Sequence, residues 1–260
     1  MQREFLETIL PSDLVEEFER TRSNLTLRYT FKKVNYFSRK HVGVSMLYAD
    51  LVGFTSFSAQ VDPFKVMVFL NELFQVFDGL CDDFNVYKIE TVGDCYVAAV
   101  GVVTGESVSA RCDIPRNSMQ EVSVSGSHIS RRFASRRAPL SESSLIISSA
   151  LEYNVRDLVG FAKAMILGSR QVTKPVLNTP AIMRVGVHTG SCMSGIVGTR
   201  NLKFCLLGEA VSMASHMEKT GVPDHIHVSQ DIADLLPDED WMECEAREGD
   251  RGGPTYLLKV

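Results

Sequence analysis

Residues 86–100 have the sequence VYKIETVGDCYVAAV, which contains the clearest structural signal in the chain. Two runs rich in β-branched and aromatic residues lie on either side of Val92-Gly93-Asp94. Runs of this kind, joined by a short turn that contains glycine, are typical of a β-hairpin. The pattern therefore predicts two antiparallel strands with Asp94 at the tip of their turn.

The segment before the hairpin predicts a strand followed by a helix. Residues 42–51, VGVSMLYADL, are apolar and strand-like, and Asp50 lies near their end. Asp62 and Pro63 then have the residue types of a helix N-cap and a first helical turn. The helix that follows carries on one side the apolar residues Val66, Phe69, Leu70, Leu73, Phe74, Phe77 and Leu80.

The composition changes sharply after the hairpin. Residues 104–149 are rich in Ser and Arg, poor in aromatic residues and without a sustained period. We interpret this stretch as a mobile insertion within one domain. Residues 1–35 are predicted to form an N-terminal helix and a connection, and residues 36–260 the main domain.

Order resumes beyond the insertion. The sequence predicts, in turn, a helix at about 151–167, a strand at 181–190, a strand through 202–208, a helix at about 210–219 and a strand at 225–229. Taken with the first half of the chain, this order predicts an α+β fold, with helices on one face of a mainly antiparallel sheet.

Composition excludes several classes of protein. Hydrophobic residues make up 45% of the 260 residues and charged residues 23%, as in an ordinary globular domain. A net charge of −5 argues against a protein that coats nucleic acid. The six cysteines form no CxxC pair, which favours reduced thiols over a disulfide framework or a zinc site. Without a membrane-length apolar run or a signal-peptide pattern, we expect a cytoplasmic domain, on its own or as the cytosolic part of a larger membrane protein.

Two carboxylates are candidates for a metal site. Asp50 follows an apolar strand and Asp94 lies in the hairpin turn, and either one alone would be interpreted as a turn or cap aspartate. In the predicted fold the strand end can lie beside the hairpin, so the two side chains could converge. Close carboxylates repel each other unless a cation lies between them, and oxygen ligands suit Mg²⁺ or Mn²⁺.

Four motifs carry a family resemblance. They are YADLVGFTSFS at 48–58, FNVYKIETVGDCYVAA at 84–99, MRVGVHTGSCMSGIVG at 183–198 and KFCLLGEAVSMASHME at 203–218. In this order they resemble the signatures of class III adenylyl and guanylyl cyclases. The resemblance implies a ferredoxin-like (βαββαβ) fold. It also implies the conversion of a nucleoside triphosphate into its 3′,5′-cyclic monophosphate and pyrophosphate, with two Mg²⁺ or Mn²⁺ ions.

The resemblance also implies roles for single residues. Asp50 and Asp94, with the Leu51 carbonyl, would bind both metal ions. The backbone of Gly53, Phe54 and Thr55 would hold the triphosphate, and Arg184 would contact its outer phosphates.

Two positions resemble family members that use GTP. Glu90 lies where guanylyl cyclases carry a glutamate, and Cys205 lies where they carry a cysteine. A carboxylate can accept the N1–H and N2 hydrogens of guanine, which adenine does not offer. Lys203 stands where guanylyl cyclases often carry an arginine. These residues favour GTP over ATP.

Three further positions depart from self-sufficient family members. Ser212 stands where an asparagine orients the ribose, and His216 where an arginine stabilises the transition state. Asp250 lies near the position of a phosphate-binding lysine, and Arg251 could replace that lysine only after a shift of one residue. None of the usual catalytic Asn, Arg and Lys residues is therefore retained.

This departure resembles the metal-donating half of a paired cyclase. The implied partner is a complementary cyclase domain or subunit, and a homodimer of this chain would be weak and inactive or nearly so. The alternatives are an adenylyl cyclase half that uses ATP, and an inactive cyclase-homology module that binds a nucleotide or a partner.

Overall fold

The computed structural model describes Val15 and residues 38–102, 142–198, 203–244 and 253–260. Apart from Val15, the predicted N-terminal helix lies outside these residues. So do most of the predicted insertion, Asp250 and Arg251.

Ten strands and five helices form the described part of the chain. The strands are β1 (Arg39–Leu51), β2 (Tyr87–Val92), β3 (Cys95–Val100), β4 (Thr173–Lys174), β5 (Thr179–Pro180), β6 (Met183–Val197), β7 (Lys203–Leu207), β8 (His225–Ser229), β9 (Met242–Cys244) and β10 (Thr255–Lys259). The helices are α1 (Phe54–Ser58), α2 (Pro63–Cys81), α3 (Glu142–Ser169), α4 (Glu209–Thr220) and α5 (Gln230–Leu235).

One sheet organises these elements. Its order is β2-β3-β1-β6-β8-β10-β9, with β7 paired to β6, and β4 and β5 form a separate hairpin. All neighbouring strands are antiparallel except β6 and β8. The succession β1-α2-β2-β3-α3-β6, with β1 between β3 and β6, is the predicted βαββαβ arrangement, and the fold class is confirmed.

The predicted hairpin and helix cap are both present. Val92 pairs with Cys95 across a turn in which Gly93 has φ 63°, a left-handed conformation that glycine adopts without strain. The Asp62 carboxylate accepts hydrogen bonds from the backbone N–H groups of Phe64 and Lys65, at 3.0 and 3.4 Å, at the start of α2. The Gly93 turn and the Asp62 cap both follow from the residue types at those positions.

A polar network ties the hairpin to α2. The hydroxyl of Tyr96, on β3, is buried and donates to Asp78 of α2 at 2.7 Å. Lys88, on β2, donates to the same carboxylate at 2.8 Å. These contacts hold the hairpin against the helix, and with it the turn that carries Asp94.

The sequence predicts that the helices lie on one face of the sheet. In the structure they lie on both faces. The apolar residues of α2, α3 and α5 pack with Leu47, Ala49 and Leu51 of β1. Helix α4 packs through Ala210 and Ala214 on the opposite face, in the cluster that contains Val44 and Met46.

A glycine of β6, Gly186, allows α4 to pack closely against this strand. A Cβ at Gly186 would lie 2.6 Å from the Ala214 carbonyl oxygen and closer still to the Glu218 backbone nitrogen. The backbone of α4 therefore rests directly on the strand, which only glycine permits.

Helix α3 also differs from its predicted bounds. It begins at Glu142 rather than near Leu151, so residues 142–149 belong to a helix and not to the insertion. The first turns are rich in serine, but Leu145, Ile146 and Ile147 were a signal for this earlier start. No helix in the described ranges is both long and apolar enough to cross a membrane.

We predict that Gly186→Ala destabilises the domain by about 3 kcal/mol, because the added methyl group meets helix backbone that cannot move alone. Chemical denaturation measures the change. Gly79→Ala is the matched control: Gly79 lies in α2 with nothing within 4 Å of its would-be Cβ, so alanine should be neutral or stabilising. Equal stabilities of the two variants would contradict the close contact between α4 and β6.

Candidate active site

The two predicted metal ligands meet at one edge of the sheet. Ala49 of β1 lies opposite Tyr96 of β3, so Asp50 comes beside the turn that carries Asp94. The two carboxyl groups lie close enough for the charge of Asp50 to act on Asp94. Burial and then the charge of Asp50 raise the pKa of Asp94 to about 6.

Arg184 lies against the same pair. It is the cross-strand partner of Asp50 on β6, and its Nη2 lies 3.3 Å from Asp50 Oδ2. The structure thus places three of the predicted site residues together, two carboxylates and one guanidinium.

Glu218 completes this group and was not predicted from the sequence. It lies on α4 with only 5% of its surface exposed. Its Oε1 accepts a hydrogen bond from Arg184 Nε at 2.8 Å and forms an ion pair with Arg184 Nη2 at 2.6 Å. The sequence did offer a signal for Glu218. It lies beside Met217 on the buried side of a short amphipathic helix, where a glutamate needs a charged or hydrogen-bonding partner.

The predicted phosphate-binding segment, Gly53 to Thr55, follows β1 and includes the start of α1. Gly53 has φ 73° and precedes the short helix that begins at Phe54 and contains Thr55. The Val52 N–H donates to the Ile182 carbonyl at 2.9 Å, so the loop is hydrogen-bonded to the start of β6. This conformation leaves open space beside the Gly53 Cα.

Lys174 is a second residue that sequence reasoning missed. It lies on β4, only 8% exposed, and its Nζ donates to the Val52 carbonyl at 3.0 Å. Burial lowers the pKa of this lysine. No local pattern relates a lysine in a two-residue strand to a loop 122 positions away in the chain.

The three predicted base-recognition residues are also brought together. Edge-to-face packing of Tyr87 on Phe204, with ring centroids 6.3 Å apart, places β2 beside β7. Glu90 forms an ion pair with Lys203. Cys205 lies close enough for both charges to affect the pKa of its thiol. The two charged side chains thus partly neutralise each other.

Helix α4 carries two of the predicted departures. Ser212 is exposed, and its hydroxyl donates to the Gly208 carbonyl of its own helix at 2.8 Å. His216 lies one turn further along and is half-buried. The Ser212 hydroxyl cannot replace the amide of the expected asparagine, and the His216 imidazole cannot replace the guanidinium of the expected arginine.

The carboxylate pair fits a hard divalent cation. Asp50 and Asp94 offer oxygen ligands only, as Mg²⁺ and Mn²⁺ prefer. Within the described ranges, no third His, Cys, Asp or Glu side chain joins them at metal-binding distance. Backbone carbonyls, water and phosphate oxygens would supply the other ligands, which is usual for Mg²⁺.

We predict that Asp94→Asn stabilises the metal-free domain above pH 6. The folded-state pKa of Asp94, about 6, exceeds its ordinary value of 3.8, so ionisation of Asp94 removes stability as the pH rises between these values. Asparagine avoids that loss. We expect a gain of about 1–2 kcal/mol at pH 7.5, after allowance for solvent screening, and almost none at pH 4.

Thermal unfolding with a chelator present, at both pH values, measures this difference. A gain of equal size at pH 4 and pH 7.5 would show that the ionisation of Asp94 is not its source.

Comparisons with known proteins agree with the geometry. The family pattern of the adenylate and guanylate cyclase catalytic domain matches residues 37–252. The receptor-type guanylate cyclase gcy-28 of Caenorhabditis elegans is 32% identical over 221 residues, which are 83% of this chain and 14% of that protein. A guanylate cyclase of Toxoplasma gondii is 30% identical over 297 aligned residues, covering 99% of this chain and 7% of that protein. The chain thus spans a small fraction of these relatives.

Solved structures share the fold. The guanylate cyclase domain of RhGC from Catenaria anguillulae, in complex with GTP, superposes with a TM-score of 0.63 at 20% identity, over 85% of this chain and 98% of that one. The adenylyl cyclase CyaB from P. aeruginosa gives 0.58 at 16% identity, over 86% and 96%. From its motifs, its fold and the family match, this chain belongs to the adenylate and guanylate cyclase catalytic domain family.

Proposed function

We propose that this chain is the metal-donating half of an unequal guanylyl cyclase pair, which converts GTP into cyclic GMP and pyrophosphate. One observation carries the proposal. Asp50 and Asp94 are joined at the sheet edge, whereas α4 carries Ser212 and His216 in place of asparagine and arginine.

Asp50, Asp94 and the Leu51 carbonyl would hold two Mg²⁺ or Mn²⁺ ions. When bound, such ions increase the nucleophilicity of the ribose 3′-hydroxyl and stabilise charge on the α-phosphate and on the leaving pyrophosphate. Metal binding requires the Asp94 carboxyl to be ionised, and because its pKa is raised to about 6, binding should weaken as the pH falls below 6.

The triphosphate would lie along the loop that contains Gly53. Backbone N–H groups of Phe54 and Thr55 would bind phosphate oxygens, and the positive φ of Gly53 turns the chain into α1 at this point. Arg184 would extend to the outer phosphates from beside Asp50. This arrangement positions the phosphates for in-line attack, on which most of the rate of phosphoryl transfer depends.

GTP is favoured over ATP by Glu90 and Cys205. A carboxylate opposite the guanine edge accepts two hydrogens that adenine lacks. In an unequal pair these residues would line the second, degenerate site, and the partner would bind the base of the substrate. The ion pair between Glu90 and Lys203 supports this role, because a carboxylate neutralised by lysine is a weaker acceptor for guanine.

A second candidate is a cyclase-homology module that binds a nucleotide without turning it over. The bond from the Ser212 hydroxyl to its own helix favours it, since that hydroxyl is then directed at the Gly208 carbonyl and not at a ribose. The intact carboxylate pair favours the enzyme. A cytoplasmic location stays a prediction, whether the domain acts alone or within a membrane protein.

We predict that Asp50→Ala or Asp94→Ala abolishes cyclic GMP synthesis by the chain paired with a complementary cyclase domain. Each substitution removes half of the oxygen ligands that side chains supply. Cyclic nucleotide is measured with Mn²⁺ and either GTP or ATP, and circular dichroism checks the fold. Glu239→Gln, which breaks an ion pair with Lys163 far from the site, is the control and should retain activity. Turnover close to that of the unmodified pair in either aspartate variant would contradict the metal assignment.

We predict that the purified chain alone has little or no cyclase activity, even where it dimerises. In a homodimer the carboxylates of one copy would meet Ser212, His216 and Asp250 of the other. Loss of one preorganised donor of positive charge costs about 10²–10³ in rate. Installing Ser212→Asn, His216→Arg and Asp250→Lys together should raise the activity by at least that factor.

Light scattering on the same samples separates poor assembly from poor catalysis. Strong GTP turnover by the unmodified chain would overturn the unequal pair. A chain that stays inactive with every complementary domain, yet binds Mn²⁺·GTP, would support the second candidate.

A further inference from the structure

Arg184 lies between two carboxylates and favours one of them. Its Nε donates to Glu218 Oε1 at 2.8 Å, and its Nη2 forms an ion pair with the same oxygen at 2.6 Å. Nη2 reaches Asp50 Oδ2 only at 3.3 Å, outside the usual range for a charge-assisted bond. The guanidinium is therefore bound mainly to the helix and only weakly to the strand carboxylate.

The helix holds Glu218 firmly in place. Glu218 is 5% exposed, and its backbone nitrogen rests on Gly186 of β6. Gly221 at the end of α4 lies against the aliphatic part of Arg184, since a Cβ there would come within 3.2 Å of Arg184 Cγ. The Glu218 carboxylate and the aliphatic part of Arg184 are therefore both packed against the end of α4.

We propose that Glu218 is a positioning residue that holds the Arg184 guanidinium away from Asp50, so that Asp50 stays available to a divalent cation. The inference rests on the proposed metal site and adds to it. Arg184 is itself a cation and competes for the same oxygens. Without the charge of Glu218, the nearest anion to the guanidinium is Asp50, and the two would form a closer pair.

The charges of the group support this role. Asp50 and Glu218 both pair with the Arg184 guanidinium, and Asp94 lies close enough to Asp50 for the charge of Asp50 to act on it. With Glu218 pairing the arginine, the Asp50–Asp94 pair keeps its negative charge for an incoming metal ion. With Glu218 neutral, the arginine charge opposes that ion.

The test measures Mn²⁺ binding by the purified chain, through the electron paramagnetic resonance of free Mn²⁺ at pH 7.5. We expect Glu218→Gln to weaken Mn²⁺ affinity about tenfold, because an unpaired positive charge then lies beside the cation. Adding Arg184→Gln to this variant should restore the affinity to within about twofold, since the competing charge is gone. A purely structural role of Glu218 predicts no such rescue.

Two matched variants make the outcome decisive. Glu239→Gln removes another carboxylate from a lysine ion pair and should not change Mn²⁺ affinity. Asp50→Asn should abolish Mn²⁺ binding. If Asp50→Asn abolishes binding and Glu218→Gln has no effect, the positioning role is wrong and the metal site stands. If Asp50→Asn binds Mn²⁺ normally, both are wrong.

Circular dichroism establishes whether Glu218→Gln folds. If it does not, Arg184→Gln alone decides the question: removal of the competing cation should tighten Mn²⁺ binding by about threefold or more. An affinity that is unchanged or weaker in this variant would overturn the inference.

Discussion

Strand β1 pairs with β3 on one side and with β6 on the other, and its register with each fixes the charged groups of the site. The register with β3 brings Asp50 beside Asp94. The register with β6 places Arg184 opposite Asp50. A shift of one residue in either pairing would send these side chains to the other face, because successive residues of a strand point in opposite directions. The site therefore depends on the central strand more than on any loop.

This arrangement concentrates like charge at a partly buried edge, at a cost to the fold. Burial and the neighbouring carboxylate oppose the ionisation of Asp94, and burial raises the pKa of Glu218 as well. Arg184 offsets part of the cost through its bonds to Glu218 and Asp50. The remaining negative charge is what a divalent cation requires, so the feature that weakens the metal-free fold also suits the site to its proposed ligand.

Local patterns in the sequence were sufficient for the parts of the fold that local chemistry determines. The turn at Gly93, the Asp62 cap and the order of strands follow from residue types and spacing. The meeting of Asp50 and Asp94 followed from that order. The face on which α4 packs did not, because it depends on the contact between Gly186 and a helix that begins more than twenty residues later.

The same limit explains the residues that sequence reasoning missed at the site. Glu218 and Lys174 act through contacts with Arg184 and Val52, and such long-range pairs have no local period. The early start of α3 was hidden for a different reason. Its first turns are rich in serine, so their composition resembled that of the insertion, although Leu145, Ile146 and Ile147 lie among those serines.

Helix α4 presents different residues in different directions. Glu218 is buried and faces the carboxylates of its own chain, whereas Ser212 is exposed and His216 is half-buried. Mutations at the outer positions therefore leave the contact between Glu218 and Arg184 undisturbed. In the unequal pair proposed above, a duplicated copy of the domain would lose its outward-facing residues while selection preserved its inward-facing ones. The packing of a single helix thus offers a route by which two identical domains diverge into specialised partners.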